Sequence, residues 1–138
     1  MRRQTDVAAR GQKELPDFVH FVTEQLHRWA PVSVRRLFGG HALYRGNTIF
    51  GIISHDTFYL RTDDANRGAF EAAGAKPFRP GKGHITLPYH EAPTDALEEP
   101  ELLTVWATSA YDAALRRDAG KAQKRNRTAA RPLKSRKG

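Results

Sequence analysis

The chain has 138 residues, of which 39% are hydrophobic, and this length predicts one folded domain rather than two. It contains no cysteine, which excludes disulfide bonds, thiolate metal sites and a cysteine nucleophile. No apolar stretch approaches the roughly 18 residues that a transmembrane helix needs, and the charged N-terminus lacks the apolar run of a signal peptide. We therefore expect a cytoplasmic protein.

The positive charge is concentrated at the C-terminal end of the chain. Residues 1–120 contain 15 Lys or Arg and 15 Asp or Glu, whereas residues 121–138 contain eight basic residues and no acidic ones, which accounts for the formal net charge of +8. We predict a flexible N-terminus (1–14), one folded domain (15–119) and a disordered basic tail (120–138). The basic residues of the tail are Lys121, Lys124, Arg125, Arg127, Arg131, Lys134, Arg136 and Lys137.

The first predicted element is an amphipathic helix within residues 15–31. Pro16 suits a first helical turn, and Pro31 ends the pattern. Large apolar residues recur between them at spacings of three and four, and we expect this stripe to be buried. Its members are Phe18, Phe21, Val22, Leu26 and Trp29.

Residues 32–62 predict an antiparallel meander of short strands. The turn sequences "GG", "RGN" and "HD" separate β-branched and aromatic runs. We interpret Gly39 and Gly40 as residues that shape a strand corner. In the last run, alternation places Phe58 and Leu60 on one face of the strand and Tyr59 and Arg61 on the other.

A short helix and a further strand are predicted next. One of the two aspartates Asp63 and Asp64 is expected to cap a helix over residues 65–73, and Gly74 is expected to end it in the left-handed conformation. The alternating run around Pro88 predicts a strand. Because proline cannot donate a hydrogen bond to a neighbouring strand, this strand is expected at a sheet edge or at a bulge.

The last element is predicted to be a second long helix. Residues 92–99 are interpreted as a turn, and a helix begins at Pro100 and places Trp106 on its inner face. Gly120 is expected to end it, just before the basic tail.

The sequence lacks the motifs of phosphate binding, metal binding and nucleophilic catalysis. The "GKGH" stretch at residues 81–84 has neither the glycine offset nor the Ser/Thr of a P-loop, and no helix follows Gly39-Gly40 to bind a phosphate. We therefore expect no enzymatic activity, no cofactor and no metal. The histidines near strands follow no ligand spacing; they are His41, His55, His84 and His90.

Taken in order, these residues resemble the TfoX N-terminal domain family over roughly residues 15–118. The resemblance rests on "RRLFGGHALYRGNTIFGIISHDTFYLRTDD" and on "ITLPYHEAPTDALEEPELLTVWATSAYDAALR". The marks most specific to the family are Phe38-Gly39-Gly40 with Leu43-Tyr44, Phe58-Tyr59-Leu60 before Asp63, then Phe70, Gly74, Pro77-Phe78, and Tyr89 before Pro93.

The resemblance implies an α+β fold of two layers. A mostly antiparallel sheet of five to six strands would pack with N- and C-terminal helices and a middle helix, similar to secretion-chaperone-like folds. The structural motif would comprise Phe38, Gly39, Gly40, Tyr44 and Gly74. The family includes regulators of natural competence (TfoX, also called Sxy), which carry an additional helical C-terminal domain. In this chain the basic tail stands in its place.

The sequence favours two functional hypotheses; a third, an enzyme or small-ligand binder, would need a pocket that no motif indicates. The first is a non-enzymatic regulatory module that binds a protein partner, such as a component of the transcription machinery. A folded part with balanced charge favours this hypothesis. The second is a nucleic-acid-binding protein that uses its basic tail to neutralise phosphates, assisted by Arg35, Arg36 and Arg61. Neither hypothesis involves a membrane.

Overall fold

The computed structural model describes residues 15–37, 39–80 and 85–137, with side chains described as far as Arg125. Within these residues the helices are α1 (Asp17–Leu26), α2 (Arg67–Ala72), α3 (Thr94–Glu98) and α4 (Pro100–Lys137). The strands are β1 (Ser33–Leu37), β2 (Gly40–Arg45), β3 (Thr48–Ser54), β4 (Thr57–Arg61), β5 (Pro77–Phe78) and β6 (Leu87–Glu91).

The strands form a single antiparallel sheet in the order β1-β2-β3-β4-β6-β5. The first four strands follow one another as a meander, as the turn residues predict. The later strand β6 then pairs with β4, and β5 becomes the edge strand. The predicted class, an α+β fold with a mostly antiparallel sheet, is confirmed.

The main core lies between the sheet and the helices. Phe50 on β3, Phe58 and Leu60 on β4, and Leu43 on β2 are at most 1% exposed, and they belong to one cluster with residues of the helices. The helical contributions are Val19, Val22 and Leu26 from α1, Phe70 from α2, Ala96 from α3, and Leu103, Ala107, Ala110 and Ala114 from α4. The predicted alternation along β4 is confirmed.

The buried face of α1 differs from the predicted stripe. Val19 is buried, whereas Phe21 is 41% exposed, so its inclusion in the core stripe is wrong. Trp29 is only half-buried. Its indole Nε1–H donates to Thr108 Oγ1 at 2.9 Å, and its ring meets Phe50 edge-on at 5.2 Å. The indole keeps its polar edge near solvent because that N–H needs an acceptor.

The turn between β1 and β2 explains its two glycines. Gly39 has a φ of +83°, a conformation that glycine adopts without steric cost. A Cβ on Gly40 would lie 2.4 Å from the carbonyl oxygen of Ile53 on β3. At this position β2 and β3 therefore approach too closely for a side chain on residue 40. The interpretation as a strand corner agrees with this geometry. Phe38, which precedes these two glycines in the predicted motif, lies outside the described residues.

Gly74 ends α2 as predicted. Its φ is +81°, its amide donates to Glu71 O at 3.0 Å, and the amide of Ala75 donates to Phe70 O at 3.0 Å. These are the two bonds of a Schellman motif, which satisfies the last carbonyls of the helix.

Pro88 lies in an interior strand rather than at the sheet edge. The pairing of β5 with β6 shifts register, because Phe78 pairs with Leu87 and Pro77 with His90. Pro88 falls within this irregularity, which is the bulge that the sequence left open as an alternative. The segment predicted as a turn at residues 92–99 contains the short helix α3 instead.

Helix α4 is longer than predicted. The expectation that Gly120 ends it is wrong, because the helix continues to Lys137. The division into a domain (15–119) and a tail (120–138) stays a prediction. Gly120 is not among the described glycines with positive φ. One glycine inside a helix costs only about 1 kcal/mol relative to alanine, and the residues that follow it, "KAQKR", are good helix formers. The last buried side chain on the described part of α4 is Ala114.

A candidate interaction surface on the outer face of the sheet

The face of the sheet that points away from the helices carries its own cluster of side chains. We call it the outer face. Its cluster consists of strand residues alone within the described chain, whereas the inner cluster includes all four helices. The outer cluster comprises Ile52, Phe78 and Tyr89, which are buried, and Leu37, Ile49, Tyr59 and Leu87, which are partly buried.

Two arginines lie over tyrosine rings on this face. The guanidinium carbon of Arg35 is 4.8 Å from the centroid of the Tyr44 ring, and that of Arg61 is 5.6 Å from the centroid of the Tyr89 ring. Arg61 on β4 and Tyr89 on β6 are directly opposite in the strand register. We call these four residues the arginine–tyrosine row.

The row has a positive electrostatic environment. Burial raises the pKa of the Tyr89 hydroxyl, and this is partly offset by the charge of Arg61, by a hydrogen bond with Arg61 and by the charge of Arg117 on α4. Tyr44 also acts on Tyr89, so the two tyrosines of the row are close enough to interact. The Nε of Arg61 is buried and has no hydrogen-bond partner among the described residues.

An apolar pocket of about 500 Å³ lies on the same face. This volume is within the range of sites that bind small ligands or single side chains. Tyr59 and Phe78 pack with ring centroids 4.3 Å apart in its wall. Polar atoms at the pocket come from Ser54, His55 and Arg79, and its apolar lining includes Leu37, Ile52 and Leu87.

The sequence hypothesis grouped Arg35, Arg36 and Arg61 as phosphate contacts, and the structure separates them. Arg35 and Arg61 lie on the outer face, whereas Arg36 alternates to the other face, where it is paired with His41 across β1 and β2. Burial and then the charge of Arg36 lower the pKa of His41. The sequence analysis named the other two members of the row, Tyr44 and Tyr89, only as marks of the family resemblance, and Tyr44 as part of the structural motif. It did not predict that either tyrosine lies under an arginine.

Asp63 and Asp64 do not form an acidic site. Asp63 accepts hydrogen bonds from Arg116 and from the amide of Ala65 at 2.9 Å, while Asp64 pairs with Arg67 at 2.9 Å on the surface. Asp63 therefore stabilises the loop before α2. The prediction that Asp63 or Asp64 caps this helix is wrong, because α2 begins at Arg67 and its N-cap residue is Asn66, which makes no side-chain capping bond. No group of three metal-binding side chains occurs within the described residues.

The basic residues predicted to contact nucleic acid begin on the exposed part of α4. Three of them have described side chains, and all three are exposed: Lys121, Lys124 and Arg125. They lie beyond the last residue of α4 that packs on the sheet. The side chains of Arg127, Arg131, Lys134, Arg136 and Lys137 lie outside the described residues. Within the described chain, no helix combines the length and apolar character needed to cross a membrane.

The fold and this surface define a class of protein. An antiparallel sheet that has all of the described helices on one face, and arginines, tyrosines and an apolar pocket on the other, is a two-layer α+β domain with a candidate binding surface. The family model of the TfoX N-terminal domain matches residues 24–114, so the chain belongs to the TfoX N-terminal domain family. None of the curated proteins compared with the chain matches it significantly.

Proposed function

We propose that this chain is a non-enzymatic regulatory module that binds a protein partner through the outer face of its sheet. The observation that carries the proposal is the combination of arginines, tyrosines and an apolar pocket on that face. Protein interfaces are enriched in tyrosine and arginine, which supply contact area together with hydrogen bonds. Membership of the TfoX N-terminal domain family supports a regulatory role, since that family includes regulators of competence.

The partner is proposed to be a cytoplasmic protein, such as a component of the transcription machinery. Residues 15–120 carry almost no net charge, and the arginines of the outer face are therefore a local feature rather than part of a uniformly basic surface. A local patch of this kind favours a partner that matches it in shape and charge.

Site-specific photo-crosslinking in the native cytosol tests this proposal. A benzophenone amino acid is placed at Leu37 or Thr57 on the outer face, and at Val105, which is 63% exposed on the helical layer, as the matched control. We expect one defined protein to be crosslinked from the two sheet positions and not from Val105, with or without nuclease. Equal crosslinking from all three positions, or none from the sheet, contradicts the proposal.

The second candidate function is nucleic-acid binding through the C-terminal part of α4. The favouring observation is that the helix continues through a segment with eight basic residues and no acidic ones. Arg117, Lys121 and Lys124 follow one another at spacings of four and three, which place them on one helix face. Such a helix would contact phosphates in a salt-dependent manner.

A further inference from the structure

We propose that Arg61 is the centre of a carboxylate-binding site, and that it receives an acidic side chain from a protein segment whose neighbouring apolar residue enters the outer-face pocket. This inference rests on the proposed function and specifies the chemistry of its partner. The occupant is an acidic peptide segment with an aromatic or aliphatic residue beside its carboxylates.

The first argument is unbalanced charge. Within the described residues, the ion pairs of arginine involve Arg67 and Arg116, and neither Arg35 nor Arg61 is paired with a carboxylate. Among the same residues, the outer face does carry one acidic residue beside them, Glu91, which lies opposite Tyr59, but two arginines against one unpaired carboxylate leave the face positive. Arg117 adds further positive charge near the hydroxyl of Tyr89. A partner carboxylate would complement this charge.

The second argument is the unsatisfied Nε of Arg61. Buried polar atoms in proteins are almost always hydrogen-bonded, and the exception at Arg61 leaves this guanidinium with a hydrogen-bonding donor that no described residue satisfies. The guanidinium presents its donors as a planar fork, and a carboxylate can accept two of them at once. Tyr44 and Tyr89 belong to the same face, and their hydroxyl groups are further hydrogen-bond donors there.

The third argument decides between a peptide and a nucleic acid. Single-stranded nucleic acids bind by stacking their bases on accessible aromatic faces. Here Tyr89 is only 5% exposed and lies under Arg61, Tyr44 lies under Arg35, and Tyr59 packs on Phe78. Because the rings are already covered, the donors that remain available suit a carboxylate rather than a base.

The pocket lies on the same face as Arg61, where it can receive the apolar side chain of the proposed ligand. Tyr59, in the pocket wall, precedes Arg61 by two residues and therefore points to the same face. Tyr89, the partner of Arg61, belongs to the same cluster as Ile52 and Phe78, which also line the pocket. A carboxylate at Arg61 and an apolar side chain in the pocket can thus belong to one short segment.

NMR titration of the full-length protein tests the inference. The probes are the peptide acetyl-Glu-Glu-Phe-Glu-Glu-amide, the same peptide with Gln at every Glu position, inorganic phosphate, and a short oligothymidylate. The observed signals are the backbone amides of β4 and β6 and the Nε–H of Arg61, which is protected by its burial. Arg61→Gln is compared with Arg28→Gln, which removes the same charge from an exposed position after α1. Arg61→Lys keeps the charge without the fork, and thermal unfolding verifies that each variant is folded.

We expect the Glu peptide to shift the Arg61 Nε–H and the β4 and β6 amides, and Arg61→Gln to weaken its binding about tenfold or more, as loss of a charged hydrogen-bonded contact does. Arg61→Lys should weaken it nearly as much, and Arg28→Gln by less than about twofold. Equal binding of the Gln peptide, equal effects of Arg61→Gln and Arg28→Gln, or a stronger response to phosphate or oligothymidylate than to the Glu peptide overturns the inference.

The two proposals fail separately. Crosslinking from Leu37 and Thr57 without any response of Arg61 to the Glu peptide overturns the carboxylate site while the protein-binding face stands. A specific response of Arg61 without crosslinking from the sheet supports the carboxylate site and contradicts the proposed function.

Discussion

Arg116 on α4 forms a two-point ion pair with Asp63 in the loop after β4: its Nε and one Nη donate to the two carboxylate oxygens at 2.7 and 3.0 Å. Asp63 also accepts from the amides of Ala65 and Asn66. The side chain of Asn66 donates to Arg61 O and to Ser109, so the loop is joined to α4 at two points. This loop directly follows Arg61, and its attachment to α4 fixes the end of β4.

The first prediction compares the contributions of Asp63 and Arg116 to the free energy of unfolding. Asp63→Ala should destabilise the protein by about 1–2 kcal/mol, because it removes hydrogen bonds to two loop amides as well as the ion pair. Arg116→Ala should cost about 0.2–1 kcal/mol, because it removes only a partly exposed pair. Urea unfolding measures both, with Asp64→Ala as the control, since Asp64 is exposed and pairs only with Arg67. A larger effect of Arg116→Ala than of Asp63→Ala would contradict the role of Asp63 in binding the loop amides.

Asp63 also predicts a change in stability in acid. The hydrogen bond from Arg116 is the main cause that holds the pKa of Asp63 below its usual value of 3.8. Because the folded-state pKa is lowered, this stabilisation is complete above about pH 3.8 and is lost as the pH falls through the folded-state value. The free energies of unfolding of the wild type and of Asp63→Ala, measured from neutral pH to strong acid, should therefore converge as the pH falls. A difference in free energy between the two proteins that does not change with pH would exclude this role of Asp63 ionisation.

His90 predicts a second pH dependence, at milder acidity. Its ring is 4% exposed, its Nδ1 is 3.1 Å from Thr62 Oγ1, and burial lowers its pKa below 6.5, with a partly opposing effect from Glu71. Since the unfolded chain takes up the proton first, stability should be complete above pH 6.5 and decrease as the pH falls below it. NMR titration gives the pKa directly, and His90→Gln should flatten the pH profile. A measured pKa above 6.5 would refute the prediction.

Gly39 and Gly40, at the β1–β2 corner, are predicted to tolerate alanine poorly for two different reasons. Gly39→Ala should cost about 1–2 kcal/mol because alanine is strained at positive φ. Gly40→Ala should cost more, because its Cβ would overlap the Ile53 carbonyl. Gly68→Ala in α2 is the control, since nothing lies within 4 Å of its Cβ position and alanine favours the helix; it should be neutral or stabilising. Thermal unfolding ranks the three variants, and full stability of Gly40→Ala would exclude the close approach.

Removing the chain after Gly120 should leave the melting temperature nearly unchanged. The last buried side chain of the described part of α4 is Ala114, and the hydrogen bond from Thr48 to Asp118 is retained in the shortened chain. Differential scanning calorimetry measures the change. A decrease of more than about 5 °C, which corresponds to roughly 1 kcal/mol, would indicate that the removed part packs on the domain.

The same truncation should abolish any binding to duplex DNA. If about five of the eight cations contact phosphates, the slope of log affinity against log salt should be roughly −4 to −5 for the full-length chain. Two unrelated duplexes should bind with similar affinity, because contacts to phosphates do not depend on sequence. Fluorescence anisotropy at several salt concentrations measures both quantities. Tight binding by the truncated chain, or a strong preference for one duplex, would show that the domain itself binds DNA.

The strands and the turns were largely predictable because their causes are local. The alternation of Phe58, Tyr59, Leu60 and Arg61 correctly separates the core from the outer face. Gly74 ends α2 because a left-handed residue is needed there. Helix α4 was predicted too short, because a glycine signals a helix end only if its backbone adopts that conformation, which depends on the competing stability of the residues beyond it.

The amino-acid sequence by itself determined the meander, the two faces of β4, the presence of a long terminal helix and the separation of a neutral segment from a basic end, since each depends on residues close together in the chain. Only the tertiary structure decided that β6 pairs with β4, and therefore that Tyr89 lies opposite Arg61. It also decided that Val19 rather than Phe21 is buried. These features depend on which distant segments pack together, and the candidate carboxylate site is formed by such a contact.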